Sequence, residues 1–438
     1  MSGVGSDFTV DRRVLVLALA RFADAIGNSF LIIVLPLFIA SGSVSGDGFG
    51  LSPAFITGLI LSLYGFLNSL GQPFTGRLSD RTGTRKRYVL VGLAVLTIAN
   101  LAYAFAGSYV SLLAIRALQG VGVAFTIPST IALINELSTS DSRGGNMGLF
   151  NTLRLLGVGL GPIAAGLIID AGPYSLSVLG VPHFVNGFNA AFYTAGFTVF
   201  LSYLSVAFFV SDPEGTEATA GEELSIDVLG RESGQLLDPI FTLALAGLFM
   251  AIALGLMATL EPIINARLDQ HTTWFGVQFG AFVLAQVFLQ IPVGAASDRW
   301  GRRPFLLVGL AILVPATLAQ GFVTTSWGML LTRIGQGVAG AFVFAPGFAL
   351  AGDIADDRES GTKLSVLTMS FGLGTAIGPL AAGYLVRFGF VVPFVFGAAL
   401  ASLGFLLVYT QVSETLDTSW QDPEPSIGET GPTPAASD

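Results

Sequence analysis

Three polar residues in the first long apolar run of the chain could do chemistry. Arg21, Asp24 and Asn28 follow one another at steps of three and four, which places them on one face of a helix. Counted from residue 14 at ~1.5 Å per residue, Asp24 lies about 15 Å deep, near the middle of an apolar layer about 30 Å thick. A carboxylate at that depth must face a bundle interior or a water-filled cavity, where it marks a path for ions or substrate. Desolvation favours a neutral carboxyl and a neighbouring cation favours an ionised one, so a rearrangement that alters either can load and unload a proton. The cations available in the same half are Arg21, Arg116 and Arg154. Asp24 then either carries a proton, or binds a substrate cation, while trading charge with Arg116 or Arg154, or it forms a permanent pair with Arg21 one turn away. Gln119 accompanies Arg116, and Gln286 and Gln290, one turn apart in the second half, are candidates to line the same cavity. Arg333 mirrors Arg116 with no acid beside it in sequence, so proton chemistry is expected mainly in the first half. Glu261, next to Pro262 near the outer end of the seventh apolar run, is expected to be an exposed interfacial carboxylate.

Positioning such residues requires long apolar helices, and the composition supplies them. Of 438 residues, 52% are hydrophobic and only 11% charged, with a mean hydropathy of +0.73; a soluble globule would carry about a quarter of its residues charged. Twelve apolar segments can be marked, at 14–40, 52–74, 88–106, 110–137, 146–169, 188–210, 239–266, 274–296, 304–323, 327–353, 364–386 and 390–412. Segments of this length, without strict alternation, predict membrane-spanning helices rather than barrel strands. The expected organisation is a short leading segment at 1–13, a six-helix bundle at 14–211, an acidic loop at 212–238, a second bundle at 239–412 and an acidic tail at 413–438.

Several function classes lack their residues. Cysteine is absent, and His183 and His271 fall in predicted loops, so neither a thiolate nucleophile nor a metal site is expected. No zinc-protease, nucleophile-elbow or phosphate-loop signature occurs. The expected protein is not an enzyme, needs no cofactor and draws its energy from a proton gradient. Its expected partners are a small-molecule substrate, protons and the lipid bilayer, with no nucleic acid, and the chain is expected to act as a monomer.

The net charge of −9 is localised: the loop at 212–238 and the tail from Glu414 onward carry −13 between them, leaving +4 for the rest. Lys86 and Lys363 are the only lysines among 20 basic residues. An acidic, lysine-poor solvent surface predicts a salty cytoplasm, as in a halophilic archaeon, within a prokaryotic plasma membrane. With the N-terminus inside, fourteen Lys or Arg residues fall in cytoplasmic segments and only Arg267 and Arg387 outside. By the excess of bases on the inner side, both termini and the acidic loop are cytoplasmic.

The chain also repeats itself. The charged turn around Asp80 returns around Asp298, a step of 218. Arg116, Gln119, Gly120 and Val121 return as Arg333, Gln336, Gly337 and Val338, and Glu136 returns as Asp353, each at a step of 217. Gly161-Pro162 in the fifth segment returns as Gly378-Pro379 in the eleventh. Each motif comes back on the same side, so the halves are parallel repeats about an axis along the membrane normal.

The turn Gly76-x-Leu78-Ser79-Asp80-Arg81-x-Gly83-x-Arg85-Lys86, with its copy Gly294, Ser297, Asp298, Arg299, Gly301, Arg302 and Arg303, resembles the loop signature of the major facilitator superfamily. The resemblance implies an all-α membrane fold of twelve helices in two pseudo-symmetric six-helix bundles, working by alternating access around a site near the midplane. It further implies that Asp80, Arg81, Arg85 and Glu136, with their repeats Asp298, Arg299, Arg302 and Asp353, latch the halves together on the cytoplasmic side. Gly76 and Gly83 permit the tight turn and close helix approach. Gly148, Gly157, Gly161, Pro162 and Gly166 are similar to the antiporter motif of drug and proton exchangers, although Ala165 stands where glycine is usual; helix packing alone would also use such a face. Asp24-Ala25-Ile26-Gly27 and Val34-Leu35-Pro36 resemble the first span of twelve-helix tetracycline and multidrug antiporters. The expected function is proton-driven export of small amphipathic compounds. The alternatives are sugar or metabolite uptake by the same kind of protein, or a non-transporting membrane sensor.

Overall fold

The computed structural model describes residues 11–45, 50–139, 142–178, 181–213, 228–229, 236–354 and 360–416. The first half holds α1 (Arg12–Ala40), α2 (Pro53–Thr82), α3 (Arg85–Ala102), α4 (Tyr109–Leu137), α5 (Arg143–Ala171) and α6 (Gly187–Phe209). The second holds α7 (Pro239–Thr259), a short α8 (Glu261–Leu268), α9 (Thr272–Trp300), α10 (Arg302–Gln320), α11 (Ser326–Ile354), α12 (Ser360–Leu385) and α13 (Val392–Gln411). All but α8 are long and apolar enough to cross a membrane, twelve in all among the described residues. Much of the expected acidic loop and the tail beyond residue 416 lie outside the described residues.

Local chemistry sets the helix ends. Ser52 caps α2 by accepting from the Phe55 N–H, with Pro53 in the first turn. Gly83 ends the same helix at φ +63, where a side chain would be strained, and its N–H reaches the Ser79 carbonyl at 3.1 Å. Asp238 caps α7 by accepting from the N–H groups of Ile240 and Phe241.

Two features depart from the expectation. The seventh segment, expected as one helix over 239–266, breaks at Leu260, and α8 restarts with Pro262 in its first turn. Proline has no N–H to give to the carbonyl four residues back and its ring collides with it, so α7 cannot continue through this point. His183 lies not in a loop but in strand β2 (Val181–Val185), which pairs antiparallel with β1 (Tyr174–Val178). The polar-apolar alternation of Tyr174 to Val178 is the signal, and a search at the length of a membrane span passes over it.

The two bundles meet along two seams. In the first, α2 runs antiparallel to α12, with Ala54 beside Gly383, Gly58 beside Pro379, Gly65 beside Ala376 and Ser69 beside Gly372. In the second, α5 runs antiparallel to α9, with Gly166 beside Thr273, Pro162 beside Gly276 and Gly159 beside Val283. Alongside α2, α4 runs parallel, Gly120 meeting Tyr64 and Gly76 meeting Pro128. These directions put the turns at residues 80–85 and 298–302 at the same end of the molecule, as parallel repeats require. The buried core divides accordingly. At the opposite end one cluster joins both halves, with Phe30, Phe38, Ile60 and Phe192 packed together with Met257, Leu260, Phe275 and Phe394. Toward the charged turns each bundle keeps its own core, around Leu93, Leu133 and Phe150 in the first and Leu310, Leu350 and Leu367 in the second. The halves are thus closed on each other at one end and separate toward the charged turns.

Candidate functional site

Asp24 sits on α1 with a relative exposure of 1%. Arg21 pairs with its Oδ2, and Asn28 Nδ2 donates to its Oδ1 at 2.6 Å. The three residues predicted to share a face are therefore joined into one unit. Of the two other cations proposed as exchange partners, neither contacts Asp24. Arg154 on α5 turns Nε and Nη2 onto Asn151 Oδ1 at 3.0 and 2.9 Å. Arg116 on α4 donates to Gln119 Oε1 at 3.0 Å and lies 4.5 Å from the centre of the Tyr64 ring. All four charges act electrostatically on the Tyr64 phenol, which makes that residue the hub of the group. Tyr64 carries no charge and lies outside the repeated motifs, so sequence reasoning passed it by.

The repeat is visible in hydrogen bonds as well as in sequence. Gln119 accepts from Arg116 and from the Tyr103 hydroxyl at 2.8 Å, and donates to Asn100 Oδ1 at 2.5 Å. In the second half Gln336 accepts from Arg333 at 2.6 Å and donates to Thr317 at 2.9 Å. Thr317 stands one 217-residue step from Asn100, a match that was available in the sequence. Arg333 is fully buried, with its guanidinium 4.6 Å from the Phe282 ring centre and 5.3 Å from that of Phe279. Gln286 is buried against Gly340 of α11, whereas Gln290 is half-buried.

At the charged-turn end, Arg85 donates to Asp80 at 2.5 Å, to Ser79 at 3.1 Å and to Glu136 at 2.8 Å. Its counterpart Arg302 reaches Asp298 at 3.1 Å, pairs with Asp353 and donates to the Ala349 carbonyl at 2.8 Å. Each network closes within its own bundle in this arrangement, rather than across the gap as the resemblance implies for a latch. Arg81 and Arg299 are exposed, and Gly301 turns the second-half chain at φ +95. Two further ties went unread. The Lys86 N–H donates to Asp212 and its ammonium to the Ala207 carbonyl, both at 2.8 Å, and Arg303 repeats this with Glu414 at 2.9 Å and the Tyr409 carbonyl at 2.6 Å.

The glycines of α5 have packing roles. Gly157 takes the α1 backbone at Phe22, Gly161 takes Ser29, and Gly166 takes Thr273 of α9, while Gly148 has open space around it. In α12, Gly374 and Gly378 pack on α7 and Gly383 on α2, the same design in the other half.

Glu261 contradicts its expectation. It is 0% exposed rather than interfacial, and neither carboxyl oxygen has a hydrogen-bond partner among the described residues. The break at Leu260 tucks the first turn of α8 into the joint core, beside Leu260 and Ile264. Burial pushes this carboxyl well above the usual range; the Asn265 amide opposes the shift and the Asp170 carboxylate adds to it.

The sequence profile of the Major Facilitator Superfamily matches residues 17–264 and 240–434. The human chromaffin granule amine transporter is 24% identical over 352 residues, covering 78% of this chain and 62% of its own. The multidrug resistance protein MdtG of Salmonella arizonae is 25% identical over 389 residues, covering 86% and 90%. The chain spans only 47% to 62% of the length of the first curated relatives it matches. Among solved structures, a bacterial homolog of the human lysosomal transporter Spinster, in an inward-facing and occupied conformation, superposes with a TM-score of 0.73 at 16% identity, covering 91% of this chain and 96% of that one. With one profile matching both halves and the fold shared over almost its whole length, this chain is a transporter of the Major Facilitator Superfamily.

Proposed function

We infer that the protein is a secondary active transporter that exchanges protons for a small amphipathic compound and exports it across a prokaryotic plasma membrane by alternating access. The observation that carries the reading is the Arg21, Asp24 and Asn28 unit: one buried carboxylate in mid-span, with a cation on one oxygen and an amide on the other. Its charge balance can be changed by a modest movement of α1 against α2, α4 or α5, and that sensitivity is what a coupling carboxylate needs. The bases of the charged turns favour the cytoplasm. In that orientation the arrangement described here is closed to the outside and open to the inside. The multidrug and amine relatives agree with export of amphipathic compounds.

Asp24→Asn tests the coupling role. In proteoliposomes with an imposed pH gradient, the variant should lose proton-driven accumulation while retaining exchange of substrate down its own gradient. Unchanged proton-driven transport by the variant rules Asp24 out as the carrier.

A further inference from the structure

We propose that the transported compound is an amphipathic organic anion, whose acidic group binds at Arg154 and whose apolar part lies against the aromatic side chains of the second bundle. This rests on the transporter reading and names its substrate class.

The argument begins with a charge count. Away from the span ends, the described helices hold four arginines, Arg21, Arg116, Arg154 and Arg333, against one acid, Asp24. Cations in a membrane interior are held by counter-charges or by dipoles and ring faces. Asp24 is committed to Arg21. Arg116 and Arg333 each have a glutamine oxygen and aromatic faces. Arg154 has only the Asn151 amide oxygen, and it lies within electrostatic reach of Arg21, a like charge. Two neighbouring cations thus share a single carboxylate, and a second anion is the group that would complete the set.

The place is right for a substrate. The last contact between the bundles along the second seam, on the way to the charged turns, is Gly159 on Val283. Arg154 is five residues further along α5, or about 7 Å beyond that contact, just where the halves part. Facing it across the gap on α12, Phe371 adjoins Gly372, which makes the corresponding last contact of the first seam with Ser69. Phe371 is half-buried and its ring stands 4.6 Å from that of Phe344, edge to face. A guanidinium on one wall and an aromatic pair on the other fit a carboxylate or sulfonate carried on an apolar ring system. An amine would meet excess positive charge in the first bundle.

The test uses the full chain, purified, with two charge-opposed probe pairs of similar shape: naphthalenesulfonate against naphthylmethylamine, and dansylglycine against dansylcadaverine. Saturable thermal stabilisation by the anions and not the amines is expected. Arg154→Gln should weaken it roughly tenfold, the order expected for loss of one charge-assisted contact, and Arg154→Lys should restore part of it. Melting of the ligand-free variants checks that they fold. Tighter binding of the amines, binding of neither class, or anion binding indifferent to Arg154→Gln in a folded variant overturns the proposal. Failure of proton coupling in the Asp24 experiment with anion binding intact would overturn the coupling reading alone.

Discussion

Glu261→Gln probes what holds the closed end together. The carboxyl is buried in the core shared by both bundles, and the charge that acts on it is another acid, Asp170 at the end of α5. Of the helices packed on α8, α1 and α9 keep their charged residues toward the other end and α7 has none, while Arg267 on α8 itself is turned over the Phe390 ring. The closed arrangement therefore holds a proton on Glu261 that an opened, hydrated seam would release. Because the buried value is raised, closure is favoured in full below the ordinary value of 4.5 and weakens as pH rises toward the raised value. Within that window each pH unit moves the balance by about 1.4 kcal/mol, or about tenfold in population. Glutamine keeps the shape and cannot ionise, so the variant should stay closed at this end and lose the slope. The sequence contains no cysteine, so Ser43→Cys and Ala266→Cys, exposed positions at this end of opposite bundles, accept spin labels uniquely. Pulsed-EPR distances in the wild type should lengthen as pH rises, and those in Glu261→Gln should not. A wild type insensitive to pH, or a variant retaining the same slope, would refute the reasoning.

Two other variants are informative. A Cβ at Gly58 would lie 2.5 Å from the Pro379 carbonyl oxygen, so Gly58→Ala should part α2 from α12 and shift the same label pair toward the longer distance at every pH; an unchanged distribution would show that the seam has slack. Glu136→Gln removes one of two carboxylates from Arg85 and should cost about 1 kcal/mol, because the site is partly solvated. A melting temperature lowered by a few degrees would agree, and a collapse of folding would mean that the network is more deeply buried than its geometry indicates.

The fold was legible in the sequence to an unusual extent because membrane spans are long and the chain is duplicated. Hydropathy over about 20 residues locates helices well, and repeats at a constant step tie one half to the other. The break after α7 was less visible: Pro262 was in plain sight, but the apolar run continues through it. Glu261 was misplaced for that reason, since counting along an unbroken helix carries it to the interface, whereas the bend returns it to the core. In the candidate site, Asp24 with Arg21 and Asn28 could be read from spacing alone. Tyr64 could not, because its role comes from being surrounded by charges on three other helices. The ties of Lys86 to Asp212 and Arg303 to Glu414 join residues more than a hundred positions apart, and no local pattern reports them.

The seams between the bundles are built of glycine, alanine, serine and proline rather than leucine. Parting such walls exposes little greasy surface to water, so the hydrophobic penalty for separation stays small along most of their length. Resistance to opening is then concentrated in the bulky plug at the closed end. A transporter assembled this way can keep a firm door and still turn over quickly, because only a short plug, and not the full height of the contact, must come undone in each cycle.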